Sequence, residues 1–218
     1  MNHENEETIF DVTIEHREKE QQQTDMLKFA GSPQVCSVSV IDIVSSTKIT
    51  SAISESKLGL FYSIFLNYVS DIVRNHGGTV VKNMGDSLLY YFTDNKYSQD
   101  TIPSSFNCNL DIIAKRDELN NKLLKEGLPK ISYRISSDYG KVFVAASSIS
   151  MINDIFGPTV NMCAKINHIG DPNTFFIGHD LYLHAKNLEE YDFEEISGSQ
   201  LKILKHPYST YFVKKNIF

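Results

Sequence analysis

Several common functions are excluded by what this sequence has little of. Basic residues are in the minority, 21 lysines and arginines against 27 aspartates and glutamates, so the chain lacks the electrostatic footprint of a nucleic-acid binder. Cysteine is scarce. Cys36, Cys108 and Cys163 form no CxxC pair, and an odd number of thiols among apolar neighbours suits reduced, buried residues in a cytoplasmic protein rather than a disulfide framework. No apolar run approaches the roughly 18 to 20 residues a membrane helix needs, and MNHENEETIF lacks the basic and apolar regions of a signal peptide. Seven histidines, His76, His168, His179, His184 and His206 among them, show no HxH, HExxH or Cys-His spacing, which argues against zinc. A P-loop, a dinucleotide glycine fingerprint and a nucleophile elbow are also missing. What remains is an acidic chain of 218 residues, net charge -6 and 41% hydrophobic, long enough for one sizeable core.

Residues 1–33 are rich in Glu, Gln and His and close at Gly31-Ser32-Pro33, which reads as a polar appendage to a domain spanning 34–218. Within it, Ile9, Phe10, Val12 and Ile14 suggest a short strand, with a helix following from Glu15 to Phe29. The run VCSVSVIDIV (35–44) has the β-branched, largely apolar character of a central strand buried on both faces. Leu60, Phe61, Ile64, Phe65, Tyr68, Val69, Ile72 and Val73 recur at helical spacing, stopped by Gly77-Gly78. Thr79–Lys82 and Ser87–Phe92, joined by Asn83-Met84-Gly85-Asp86, predict a tight hairpin. A helix over about 104–126 is expected next. Strands over 131–136 and 141–145, split by Asp138-Tyr139-Gly140, should follow. Beyond them come a helix over 159–169, a strand over 174–177, a helix over 180–186 and closing strands over 200–204 and 209–213. This order predicts an α+β fold with helices packed on one face of the sheet.

Asp42 interrupts the most apolar strand, and Asp86 sits at the hairpin tip. If those strands are neighbours, the two carboxylates converge at one sheet edge. Buried carboxylates are costly unless paired or bound to metal, and Mg²⁺ favours one or two protein carboxylates plus substrate phosphates. Taken singly, each aspartate is more often structural, as a cap or a turn, and only a constellation reverses that. The aromatic clusters Tyr90-Tyr91-Phe92 and Phe175-Phe176 fit core strands better than a base-stacking platform.

Four blocks in order resemble the catalytic domain of class III adenylate and guanylate cyclases: VIDIVSST (40–47), GGTVVKNMGDSLLYYF (77–92), YRISSDYGKVFVA (133–145) with NDIFGPTVNMCAKI (153–166), and LKILKHPYSTYFV (201–213). The resemblance implies a ferredoxin-like core whose antiparallel-rich sheet carries packed helices. It implies that Asp42 and Asp86, with the Ile43 carbonyl, hold two Mg²⁺ or Mn²⁺ ions. Lys82 and Asp154 match the positions that read the base, and their types favour ATP: an acid accepts from the adenine amino group while a lysine donates to a ring nitrogen. Asn161 matches the ribose-positioning asparagine, and Lys202 matches a lysine that contacts the triphosphate.

Lys165 stands where the family carries its transition-state arginine. Lysine keeps the charge but loses the planar fork that grips phosphate oxygens, so slow turnover is expected, with a nucleotide-binding regulatory module as the alternative. A guanylate cyclase is a third reading, which Lys82 and Asp154 oppose. Pro158 and the Asp138-Tyr139 pair also depart from the family pattern. Family members draw their metal aspartates from one protomer and their base, ribose and phosphate groups from the other. One chain carrying both sets therefore implies a symmetric homodimer with its sites at the interface.

Overall fold

The computed structural model describes residues 27–29, 32–93, 101–147, 154–196 and 208–216. Its strands are β1 (Leu27–Phe29), β2 (Gln34–Ile43), β3 (Thr79–Met84), β4 (Ser87–Thr93), β5 (Tyr133–Ser147), β6 (Asp154–Phe156), β7 (Phe175–Gly178), β8 (Tyr191–Glu195) and β9 (Thr210–Lys215). The helices are α1 (Ser46–Thr50), α2 (Glu55–Asn75), α3 (Thr101–Ala114), α4 (Arg116–Lys125), α5 (Pro158–Asn167) and α6 (His179–Ala185).

Strands run in the order β3-β4-β2-β5-β7-β9-β8, with β1 and β6 also pairing with β5. Only the β5–β7 pair is parallel among those described. The succession β2, α2, β3, β4, then α3 with α4, then β5, in the spatial order β3-β4-β2-β5, is the ferredoxin-like split βαβ arrangement. The expected α+β sheet is therefore present. Residues 36–41 of β2 are all buried, as expected for a largely apolar strand covered on both sides.

Two faces account for the core. On one, Phe61, Phe65, Val69, Ile72 and Val73 of α2 pack with α3 and α4 against Ile41, Ile43, Tyr133 and Ile135. On the other, Cys163 of α5 meets Val38, Val40, Leu89 and Val142. Helices thus cover both faces, not one, because β2 alternates apolar residues to each side.

Four boundaries differ from the sequence expectation. Leu27–Phe29 pairs with β5 as a strand and does not continue a helix from Glu15. The helix expected over 104–126 breaks at Lys115 into α3 and α4, and α3 starts at Thr101 with Pro103 in its first turn, where the missing N–H costs nothing. Asp138-Tyr139-Gly140 does not split two strands: β5 runs through it for 15 residues, paired with β2 throughout that stretch. Strands β6 and β8 add to the expected set. The expected strands over 9–14 and 200–204, and nearly all of the 1–33 appendage, lie outside the described residues.

Polar groups fix how α3 sits on the sheet. Fully buried Tyr90 donates its hydroxyl to Asn109 Oδ1 at 2.7 Å. The Asn109 amide donates to Ser137 Oγ at 3.0 Å and Ser39 Oγ at 3.3 Å, while Ser37 bonds Ser105 at 2.9 Å. Small hydroxylated residues let the helix approach closely, and their polarity is satisfied within the cluster. Asn109→Ala should lower unfolding stability in urea by about 2–3 kcal/mol, since it strands the Tyr90 hydroxyl and opens a small cavity. Adding Tyr90→Phe should recover part of that loss. A strictly additive double mutant would show that the hydroxyl and amide are not coupled.

Candidate active site

Asp42 is the penultimate residue of β2. Its register places it opposite Ser87 of β4 on one side and opposite Arg134 of β5 on the other. Ser87 Oγ donates to Asp42 Oδ1 at 2.6 Å, and Arg134 Nη2 lies 3.2 Å from Oδ2. The two side chains are 15% and 20% exposed, so each charge offsets the other's desolvation. Arg134 also reaches the His168 carbonyl at 3.5 Å. Asp42 caps no helix: α1 follows Ser45, which adopts a left-handed conformation and makes no side-chain cap bond. The Ile43 side chain is buried in the core, and its backbone stands where the strand ends.

Asp86 forms a two-residue turn with Gly85 between the paired Met84 and Ser87. Gly85 has φ +71° and Asp86 does not share a positive φ, the pattern of a II′ hairpin turn with glycine first. Because Ser87 faces Asp42, Asp86 falls at the same end of the sheet. Convergence of the two aspartates depends on β2 and β4 being neighbours, and they are. No cluster of three or more His, Cys, Asp or Glu occurs among the described residues. Two carboxylates and a carbonyl, all hard oxygen donors, nevertheless fit Mg²⁺ or Mn²⁺, which take remaining positions from phosphates and water.

Lys82 and Asp154, 72 residues apart, meet directly: Nζ lies 2.5 Å from Oδ2. Strand register shifts between Val80 and Lys82, a bulge. Val81 there packs under α5 while Lys82 stays exposed and its ammonium lies 5.7 Å from the centre of the Phe156 ring. Asp154 Oδ1 accepts from the Ile155 N–H at 2.8 Å. Such a partly exposed pair is worth about 1 kcal/mol or less. Its main effect is to hold a donor and an acceptor side by side.

Helix α5 follows Gly157, whose φ of +150° and approach to the Lys141 carbonyl, 3.0 Å from a would-be Cβ, favour glycine. Asn161 is one turn inside, its N–H bonded to the Gly157 carbonyl at 3.2 Å, so it is not the helix cap. Lys165 follows one turn later. Both are exposed and share one face of the helix. Cys163, Ile166 and Asn167 are turned inward and buried. Burial pushes the Cys163 thiol up to about 12, which makes it a packing residue. Lys202 lies outside the described residues.

Arg134 and Asp138 take on roles that sequence reasoning did not assign. Arg134 lies in a strand whose partner could not be known beforehand. Asp138 has the composition of a turn around it, yet it is 1% exposed in mid-strand. Asp138 accepts from Tyr208 Oη at 2.8 Å, the Tyr139 N–H at 2.9 Å and the Leu181 N–H at 3.4 Å. Burial raises its carboxyl to about 7, against these bonds, with Asp180 adding to the rise. A raised carboxyl contributes stability that is complete below the unfolded value near 3.8 and is lost as pH climbs to about 7. The loss amounts to about 4 kcal/mol once the group is ionised. Asp138→Asn should therefore flatten the pH 4–7 slope of thermal stability and melt no lower than the parent at pH 8. An unchanged slope would assign that pH dependence to other groups.

The antiparallel-rich ferredoxin-like sheet thus carries Asp42 and Asp86 at one end, with the Lys82–Asp154 pair joining β3 to β6. The profile of the adenylate and guanylate cyclase catalytic domain matches residues 30–215, and the chain belongs to that family. It is 28% identical over 142 residues to an adenylate cyclase of Glutamicibacter nicotianae, covering 65% of this chain and 30% of that protein. It is 26% identical over 152 residues to a cytidylate cyclase of Escherichia coli, covering 65% and 33%. The chain thus spans about a third of the length of the curated relatives it matches. The crystal structure of the adenylyl cyclase CyaB from P. aeruginosa superimposes with a TM-score of 0.76 at 19% identity, covering 85% of this chain and 96% of that one.

Proposed function

We propose that the chain converts ATP to 3′,5′-cyclic AMP and pyrophosphate, for intracellular signalling, as a symmetric homodimer in the cytoplasm. The observation that carries the reading is the register of β2 on β4, which gathers Asp42 and Asp86 at one end of the sheet. Asp42, Asp86 and the Ile43 carbonyl would hold two Mg²⁺ or Mn²⁺ ions, which would neutralise triphosphate charge and acidify the ribose 3′-hydroxyl. The 3′-oxygen then bonds to the α-phosphorus as the bond to pyrophosphate breaks.

The remaining groups position and discriminate. Lys82 donates to the adenine ring nitrogen and Asp154 accepts from the amino group. Asn161 orients the ribose of a substrate whose triphosphate lies at the partner's aspartates, and Lys202 contacts the phosphates. Lys165, on the Asn161 face of α5, supplies positive charge to the phosphoryl oxygens without a guanidinium's two-pronged grip. That substitution also supports a second reading, a dimeric module that binds nucleotide with little or no turnover. The free, buried thiols suit a reducing compartment.

Purified protein incubated with ATP and Mn²⁺ or Mg²⁺ should release cyclic AMP, and Asp86→Ala should abolish it while melting within a few degrees of the parent. Lys165→Arg should raise turnover about tenfold or more, by restoring bidentate contact with the transition state. A stable parent dimer without product, made active by Lys165→Arg, would favour the regulatory module.

A further inference from the structure

Beyond its pairing with β2, which ends at Val142, β5 continues to Ser147 with β1 on one side and β6 on the other. This extension carries a cluster of uncovered rings. Phe29, 60% exposed, is the most exposed large apolar side chain among the described residues, and Phe143 is 44% exposed. Their ring centres lie 6.4 Å apart, edge to face, and Phe29 meets Phe156 in the same way at 5.6 Å. Single exposed apolar residues are ordinary, but three aromatic rings gathered on a surface mark a contact site. Strand β1 pairs with β5 along one edge, and no described strand meets the other. An open edge beside uncovered rings offers backbone hydrogen bonds and apolar contact together.

The chain itself holds a segment suited to that surface. Residues 1–26 lead directly into β1, and apart from Met1 and Met26 their apolar side chains are confined to IFDVTI (9–14). As a strand, this run turns Phe10, Val12 and Ile14 to one side. Residues 15–26, which join it to β1, can span about 40 Å, so the run reaches the patch with slack. Charge favours the same match: Glu4, Glu6, Glu7 and Asp11 surround the run, whereas Lys28 and Lys141 belong to the strands that carry the rings. We infer that residues 9–14 dock on the Phe29–Phe143–Phe156 surface of their own chain, along the outer edge of β1, with Phe10, Val12 and Ile14 against the rings. A tether this short holds the segment at about millimolar effective concentration, which favours it over a second copy. Because the Phe156 ring lies 5.7 Å from the Lys82 ammonium, the docked segment abuts the Lys82–Asp154 pair. The inference does not rest on the cyclase reading.

The sequence has no tryptophan, so Phe10→Trp creates a sole fluorescent reporter. In the full chain its emission should lie to the blue of the urea-unfolded protein, and acrylamide should quench it about tenfold less, as for a segment undocked about a tenth of the time. Adding Phe143→Ser, at an exposed ring, should return emission and quenching most of the way to the unfolded values while the protein melts close to the parent. Leu124→Ser should change neither, since Leu124 is as exposed (46%) but lies on α4, which precedes the opposite end of β5. Amide hydrogen exchange reads the same docking without the reporter. Residues 9–14 of the unsubstituted chain should exchange about tenfold more slowly than residues 15–24, and Phe143→Ser should erase the difference. Where the two methods disagree, exchange in the unsubstituted chain decides. Amides in 9–14 that exchange as fast as those in 15–24 would overturn the inference. Protection that survives both Phe143→Ser and Phe29→Ser would put the segment on another surface and overturn it as well. Protection lost on dilution would assign the patch to a second copy or its segment, against docking within one chain.

Discussion

The register of β2 between β4 and β5 is the constraint on which the rest of the molecule depends. Its side chains alternate between two covered faces, with Cys36, Val38 and Val40 beneath α5 and Ile41 and Ile43 beneath α2 and α3. A slip of one residue would exchange those sets. It would also pull Ser37 and Ser39 away from the α3 groups that satisfy them and remove Asp42 from Ser87 and Arg134. The apolar pattern and the polar pairs therefore specify the same pairing. Agreement between levels of this kind leaves a single well-separated folded state.

The two aspartates are embedded differently, and the difference matters for any argument from mutation. Asp42 is tied to a largely buried guanidinium, and Arg134 Nε already lacks a hydrogen-bond partner. Removing the carboxylate would leave a positive charge with little compensation, at a cost of about 3–5 kcal/mol if the site stayed dry. Asp86 sits in a turn and forms none of the side-chain bonds that hold β2. Loss of activity on changing Asp42 would mix chemistry with folding, whereas the same loss at Asp86 would isolate the chemistry.

The sequence made legible what depends on local periodicity or short-range turn chemistry. The double burial of β2, the amphipathic stripe of α2 and the hairpin around Gly85 needed only neighbours in sequence. What it concealed depends on partners far along the chain. Asp138-Tyr139-Gly140 has the composition of a turn, yet pairing with Val38, Ser37 and Cys36 holds it extended, and burial with Tyr208 turns its carboxyl into a proton-holding group. Tertiary pairing outweighed local preference there, and it is burial, opposed by the Tyr208 hydrogen bond, that raises the Asp138 carboxyl. Arg134 was visible as a residue in a matched motif, but its role required knowing that β5 lies against β2. The Lys82–Asp154 contact could be suspected only from the resemblance, since nothing within 72 residues of intervening sequence brings the two together.

Stability and specificity are divided among different groups. The buried hydroxyls, Asn109 and the Asp42–Arg134 pair are bound into the core, where removing any one leaves unsatisfied partners. Lys82, Asp154, Asn161 and Lys165 are partly or fully exposed and contribute little to holding the sheet or α5 together. Side chains that the fold does not need can change without unfolding it. At exposed Lys165, a lysine and an arginine would differ little in folding cost, because their helix propensities are similar. On the proposed function, the difference would fall on the geometry of phosphate contact. On that same reading, the scaffold would fix where a nucleotide lies, while exposed residues would set which base is accepted and how fast it reacts.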